Sequence, residues 1–262
     1  MHAPTSLWHA RFKQQLEWTS STRDFVYRKL DFAGRSSFLE LGCGTGALLE
    51  EIARRFVIPR LESGKIAHLV GIDNNQAFLE RARAVLDQLS KNIELKHVDA
   101  QQLPFPDGSF DVVFCHYFLM WNQLQKRAAI LKEARRVLRD GGWLVALAEP
   151  DYQGWILEPP LAIRGLLLDS LTRTGGDPAS GRKLAADLAQ FKSVTIDCCS
   201  SVLAGVACRS AIEADWAFYK DLLAGGQESK EYVNKLQEQD NELIESGSIF
   251  SFLPVFYAFG RK

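Results

Sequence analysis

No apolar run in this chain approaches the roughly 20 residues that a membrane-spanning helix needs, so no membrane partner is expected. Neither sign of charge dominates. Thirty-one Lys and Arg stand against 32 Asp and Glu, for a formal net charge of −1. A chain so balanced is not built as a general polyanion trap, and no nucleic-acid partner is expected. Cysteine is scarce and odd in number, five in all, with no C-x-x-C pair. Cys198 and Cys199 are adjacent, and neighbours rarely bridge each other without strain. The cysteines read as reduced thiols, with neither a disulfide framework nor a metal site. The stretch Met1-His2-Ala3-Pro4-Thr5-Ser6-Leu7-Trp8 lacks the basic-then-apolar pattern of a signal peptide, so the expected location is cytoplasmic. No internal repeat or low-complexity segment is visible.

What is present suits a packed α/β domain. The chain has 262 residues, of which 47% are hydrophobic, enough for one domain with a sizeable insertion. Residues 5–33 read as helices, with Trp8, Phe12, Leu16 and Thr19 at helical spacing. From there strands and helices alternate. Strands are expected at Ser37–Leu41, Ala67–Ile72, Ile93–Val98, Phe110–His116 and Trp143–Ala148. Helices are expected at about Gly46–Phe56, Gln76–Leu89 and Gln123–Leu138, the last closed by a glycine cap in Asp140-Gly141-Gly142. Pro59 and Glu62-Ser63-Gly64-Lys65 mark a loop. Residues 151–192 read as a helical insertion. A sixth strand begins at Ser193 and extends up to Val206, helices follow at about Ile212–Ala224 and Glu228–Glu245, and Ile249–Phe259 is a closing strand. Nearly continuous apolar strands joined by helices imply a parallel sheet covered on both faces, with ligands beyond the carboxyl ends of its strands.

Polar residues collect at those ends. Leu39-Glu40-Leu41-Gly42-Cys43-Gly44-Thr45-Gly46 is a buried strand that breaks into a tight turn and opens a helix. Glycine permits positive φ and leaves no Cβ in a ligand's way. The second strand ends in Gly71-Ile72-Asp73, the third in Val98-Asp99-Ala100, the fourth at His116 and the fifth at Glu149-Pro150-Asp151. Asp73 or Asp99 alone reads as a helix cap, and His116 alone as a structural histidine. Three such motifs in order at successive strand ends point to a bound cofactor.

On these motifs, with Leu103-Pro104-Phe105, Phe110-Asp111-Val112-Val113 and Val137-Leu138-Arg139-Asp140-Gly141-Gly142-Trp143-Leu144, the chain resembles the class I S-adenosylmethionine-dependent methyltransferases of the broad small-molecule type. The resemblance covers residues 37–150. It implies a Rossmann-like, doubly wound, seven-stranded, mostly parallel sheet of order 3-2-1-4-5-7-6 with an antiparallel last strand. It also implies one methyltransferase domain over 1–262: an N-terminal helical lid (1–35), a cofactor-binding core (36–150), a helical insertion over the acceptor site (151–192), and C-terminal strands and helices (193–262). The implied cofactor is S-adenosyl-L-methionine, with S-adenosyl-L-homocysteine as product. Gly42, Cys43, Gly44 and Gly46 would pass under the cofactor. Glu40 would pin the loop or accept from the cofactor's ammonium, and Asp73 would take both ribose hydroxyls. Asp99 and Ala100 would meet the adenine edge, and Asn74 and Leu103 its faces. His116 would lie by the methionine part, and Arg23 would pair with its carboxylate.

The methyl acceptor is less legible. Methyl transfer is a direct displacement on a sulfonium, and alignment in a dry site supplies much of the acceleration. Candidate catalytic residues from strand ends four and five are His116, Glu149, Asp151 and Tyr152, with Tyr117 and Trp121 nearby. Trp155, Phe218 and Tyr257 are candidate pocket walls or core, and Asp177 and Arg182 either pair with each other or cap helices. The expected partner is a small-molecule substrate, in small-molecule metabolism, with the chain a monomer or homodimer. A cofactor-dependent reaction other than methyl transfer stays open, because the cofactor motifs are blind to the acceptor, and so do two readings of another kind. One is a non-catalytic cofactor-binding scaffold or regulatory protein. The other is an NAD(P)-dependent oxidoreductase, for which Gly42, Gly44 and Ala47 fit the loose glycine fingerprint. Asp73, however, lies 31 residues beyond Gly42, where roughly 20 is usual.

Overall fold

β1 (Ser37–Leu41) lies inside the sheet, and almost nothing of it reaches solvent. It pairs in parallel with β2 (His68–Asp73) on one side and β4 (Phe110–Cys115) on the other. β2 carries β3 (Ile93–His97) outward, and β4 carries β5 (Leu138–Pro150). β10 (Val255–Arg261) pairs antiparallel with both β5 and β7 (Lys192–Cys198). The sheet order is therefore β3-β2-β1-β4-β5-β10-β7, the Rossmann-like order expected once three short strands are set aside. Those are β6 (Ile156–Glu158), β8 (Val202–Ala204) and β9 (Phe250–Phe252), which form a second sheet of order β6-β9-β8. This computed structural model describes residues 4–200, 202–204, 215–220, 223 and 229–262.

Helices cover both faces of the main sheet. Val26, Leu49, Ile52 and Leu79, from α2 (Ser20–Lys29), α3 (Ala47–Ile52) and α5 (Gln76–Leu86), pack with Phe38, Leu69 and Phe114 of the strands. On the other face, Ile130 and Leu131 of α6 (Leu124–Val137) and Leu184 of α8 (Leu184–Asp187) pack with Leu39, Val70 and Val113. A third cluster lies apart from these. It joins Trp8 of α1 (Thr5–Trp18), Leu167 of α7 (Ala162–Arg173) and Leu236 of α9 (Lys230–Glu245) with Trp155 and Trp216.

Several sequence expectations are corrected here. The helix after the glycine turn does not stop near Phe56. It widens into a π turn at Ala53–Val57 and continues as α4 (Ile58–Glu62) through Pro59. Proline lacks an N–H and its ring crowds the carbonyl four residues back, and a wide turn just upstream relieves both. Asp140-Gly141-Gly142 is not a helix cap: α6 ends at Val137 and the chain turns directly into β5. Gly141, at φ +76°, lies instead where the pairing of β4 with β5 slips, and its carbonyl accepts from the Arg261 guanidinium. The closing strand is two strands, parted at Leu253-Pro254 and assigned to different sheets. The predicted extension of the sixth strand to Val206 and much of the helix Ile212–Ala224 lie outside the described residues; residues 215–220 are helical.

Candidate active site

The glycine turn begins where β1 ends. Gly42, Gly44 and Gly46 have φ of +67°, +52° and +80°, in the left-handed region that a side chain disfavours. The turn is stitched to β2: the Cys43 N–H donates to the Ile72 carbonyl at 2.9 Å, and the Gly44 N–H to Asp73 Oδ2 at 2.8 Å. Two phenylalanine rings lie against it. A Cβ on Gly42 would stand 2.2 Å from the Phe118 ring, and one on Gly44 2.7 Å from the Phe12 ring.

Beyond the strand ends opens a cavity of about 880 Å³. Glu40, Gly42, Cys43, Gly44, Asp73, Asn74, Asp99, Ala100 and His116 all line it. Glu40 is 3% exposed, and its Oε2 is buried without a hydrogen-bond partner among the described residues. Burial, and then the charges of Asp73 and Glu51, push its carboxyl well above the usual range. Asp73 also accepts the Asn75 N–H, at 2.8 Å; burial raises its carboxyl, against the pull of these amides. Asp99 accepts from the backbone and side-chain amides of Gln101.

The structure does not bring every candidate to this cavity. Gly46 faces α5, where a Cβ would meet Leu86 and Ala82. Leu103 is in the core under α6. Arg23 spends its guanidinium on Glu51, with Nε–Oε1 of 3.2 Å and Nη2–Oε2 of 2.6 Å. Glu149, wholly buried, accepts from the backbone N–H groups of Phe118, Leu119 and Met120 at 2.8–3.1 Å. Burial lifts its pKa to about 7, although these amides and Arg127 oppose the rise. It is a tie for the loop that carries His116 and Tyr117. Asp151 accepts the Gly154 N–H and pairs with Arg182 at 2.6 Å, so Arg182 and Asp177 are not partners; Asp177 pairs with Arg127 and Lys183. Tyr152, Trp155 and Phe218 belong to the third core cluster, and Tyr257 to the first.

His116 follows β4, and its Nε2 lies 2.9 Å from Thr19 Oγ1. The Thr19 hydroxyl donates to the Gln15 carbonyl and accepts from Arg23, so His116 Nε2–H is the donor to it and Nδ1 carries the lone pair. Burial, with Arg23 nearby, pushes the imidazole pKa well down, and the ring is neutral near pH 7. Sequence reasoning left out of its site list much of the remaining wall, namely Trp8, Phe12, Phe78 and Phe118. The helical spacing of Trp8 and Phe12 was the available signal, and it reads equally as core.

Residues 38–142 match the family model described as a methyltransferase domain. An uncharacterised 37.1 kDa protein in transposon TN4556 of Streptomyces fradiae is 34% identical over 182 residues, 66% of this chain and 49% of that protein. Demethylmenaquinone methyltransferase of Lactococcus lactis is 38% identical over 137 residues, 52% of this chain and 49% of the enzyme. The chain thus spans about half the length of these curated relatives. Among solved structures, the [4+2]-cyclase SpnF superposes with a TM-score of 0.57 at 21% identity, over 93% of this chain and 81% of that one, a likeness of fold. Over residues 38–142 the chain is similar to the methyltransferase domain family, and its sheet has the Rossmann-like strand order that the resemblance implies.

Proposed function

We propose that this protein transfers a methyl group from S-adenosyl-L-methionine to a small-molecule acceptor. One observation carries the reading: Glu40, a buried carboxyl with an unpartnered oxygen, stands at the cavity wall directly before a glycine turn. An ammonium is the chemistry that such an oxygen lacks. Gly42 and Gly44 leave the turn bare for close approach, Asp73 retains lone pairs for a pair of hydroxyls, and Asp99 and Ala100 sit two strands away for a purine edge. These residues fit the cofactor, which when bound supplies a sulfonium methyl group.

The chain's own part is alignment and exclusion of water. Phe12 and Phe118 roof the turn. His116, held in one tautomer by Thr19, presents Nδ1 as a proton acceptor for a nucleophile that must lose a proton. Arg23, Gly46, Glu149, Asp151 and Tyr152 support the site without lining it. A nearly neutral chain with an aromatic-lined cavity favours a small acceptor.

Asp73→Ala tests the reading. Loss of two hydrogen bonds to a charged carboxylate, about 1.5–3 kcal/mol each, lowers affinity for S-adenosyl-L-homocysteine by roughly a hundredfold or more in calorimetry. The circular dichroism spectrum should be retained. Unchanged affinity would overturn the assignment, and bound cofactor with no turnover on any acceptor pool would favour a scaffold.

A further inference from the structure

Two residues of the cavity wall carry hydrogen-bond donors with no acceptor among the described residues. Trp8 and Tyr117 both line the cavity, at 3% and 5% exposure. The indole Nε1 and the phenol hydroxyl are buried, and neither has a partner among the described residues. Buried polar groups are nearly always paired, so two orphans in the wall of one cavity call for a ligand atom. Burial raises the Tyr117 hydroxyl pKa well above the ordinary value, which keeps it a donor.

Their surroundings define what that ligand is. Phe12, Phe78 and Trp121 also line the cavity, and their rings stand 5.7, 6.1 and 5.9 Å from Trp8. No Lys or Arg is among the described lining residues, and Arg11, the cation felt at the Tyr117 hydroxyl, is paired with Asp215, so an anion meets no free countercharge among the described residues. The carboxylates Glu40, Asp73 and Asp99 are the ones assigned above to the cofactor. A cavity of about 880 Å³ approaches the top of the about 300–1,000 Å³ range of ligand pockets, with room for a second molecule beside the cofactor.

Tyr117 is also held by force. Its φ is +51°, rare for an aromatic residue. Its N–H donates to the Ala148 carbonyl at 2.7 Å, and the next three amides are fixed on Glu149. Strain that is fixed on both sides is found where a side chain must be aimed.

We propose that the aromatic part of the cavity takes an uncharged, ring-bearing acceptor that offers an oxygen to the Tyr117 hydroxyl and the Trp8 indole N–H, with Tyr117 as the residue that sets specificity. This rests on the methyl-transfer reading. The test uses the full chain saturated with S-adenosyl-L-homocysteine and three calorimetric probes. These are 2-acetylnaphthalene, the hydrocarbon 2-ethylnaphthalene of similar size, and the anion 2-naphthoate. The ketone should bind about tenfold tighter than the hydrocarbon, as one or two buried hydrogen bonds allow, with naphthoate no better than the hydrocarbon. Tyr117→Phe should reduce that preference to about threefold or less, leave S-adenosyl-L-homocysteine affinity unchanged, and, having shed an orphan hydroxyl, raise the ligand-free Tm by about 2–4 °C. Trp8→Phe is the second variant and moves the preference the same way. The proposal is overturned if ketone and hydrocarbon bind equally, if both variants keep the preference, if naphthoate binds best, or if none of the probes binds to protein that has bound S-adenosyl-L-homocysteine. Failure of the wild-type chain to bind S-adenosyl-L-homocysteine sinks the methyl-transfer reading instead.

Discussion

Three carboxyls near the strand ends, Glu40 and Glu149 buried and Asp73 half-buried, behave differently because their neighbours differ. Asp73 is satisfied by backbone amides, Glu149 by three of them, and Glu40 Oε2 by none. Burial pushes the Glu40 carboxyl well above the usual carboxylate range, and a cation within reach of Oε2 would favour its ionised form. Binding of S-adenosyl-L-methionine should therefore release a proton. Calorimetry over a pH series in buffers of different ionisation enthalpy reads this directly, and Glu40→Gln should abolish it. Glu149 makes a prediction of the opposite kind, about stability. Its folded pKa of about 7 lies above its ordinary 4.5, so the folded state binds the extra proton. Its contribution is full below about pH 4.5 and is lost as pH rises through 7, by about 3 kcal/mol across that window. Denaturant titrations of Glu149→Gln across pH 4.5–7 should show that slope flattened; an unchanged slope would assign it to other groups.

At the scale of elements, the glycine turn is where chain and neighbours meet most closely. α1 docks on it twice, through Phe12 against Gly44 and through His9 Nδ1, 2.7 Å from Thr45 Oγ1. Gly42→Ala adds a Cβ at φ +67° and 2.2 Å from Phe118. The left-handed strain alone is about 1–2 kcal/mol, and displacing the ring adds to it, so Tm should fall by about 4–8 °C. A melt unchanged from wild type would mean that Phe118 moves aside freely. The elements themselves were legible in the sequence. β1, the glycine turn and α5 are local patterns, and their residues chose the conformation without help from afar. The π turn before Pro59 and the slip at Gly141 were not legible, because each is a local accommodation whose form depends on what packs over it.

For the whole molecule, the missed assignments share one cause. Arg23 meets Glu51 across 28 residues, and Arg11 pairs with Asp215 across 204. Ion pairs at such separations leave no periodic trace in a sequence. The same holds for the aromatic wall, which gathers Trp8, Phe78 and Trp121 from three separate stretches of chain. By itself the sequence determined the α/β alternation and the strand ends that carry Glu40, Asp73 and Asp99. These follow from backbone conformation and hydrophobic period, which act between near neighbours. Only the tertiary structure decided which polar residues face the cavity and which are consumed in holding it. That choice depends on which partners folding brings within hydrogen-bond reach. Glu149 and Arg23 found partners, while Glu40 Oε2, the Tyr117 hydroxyl and the Trp8 indole N–H did not.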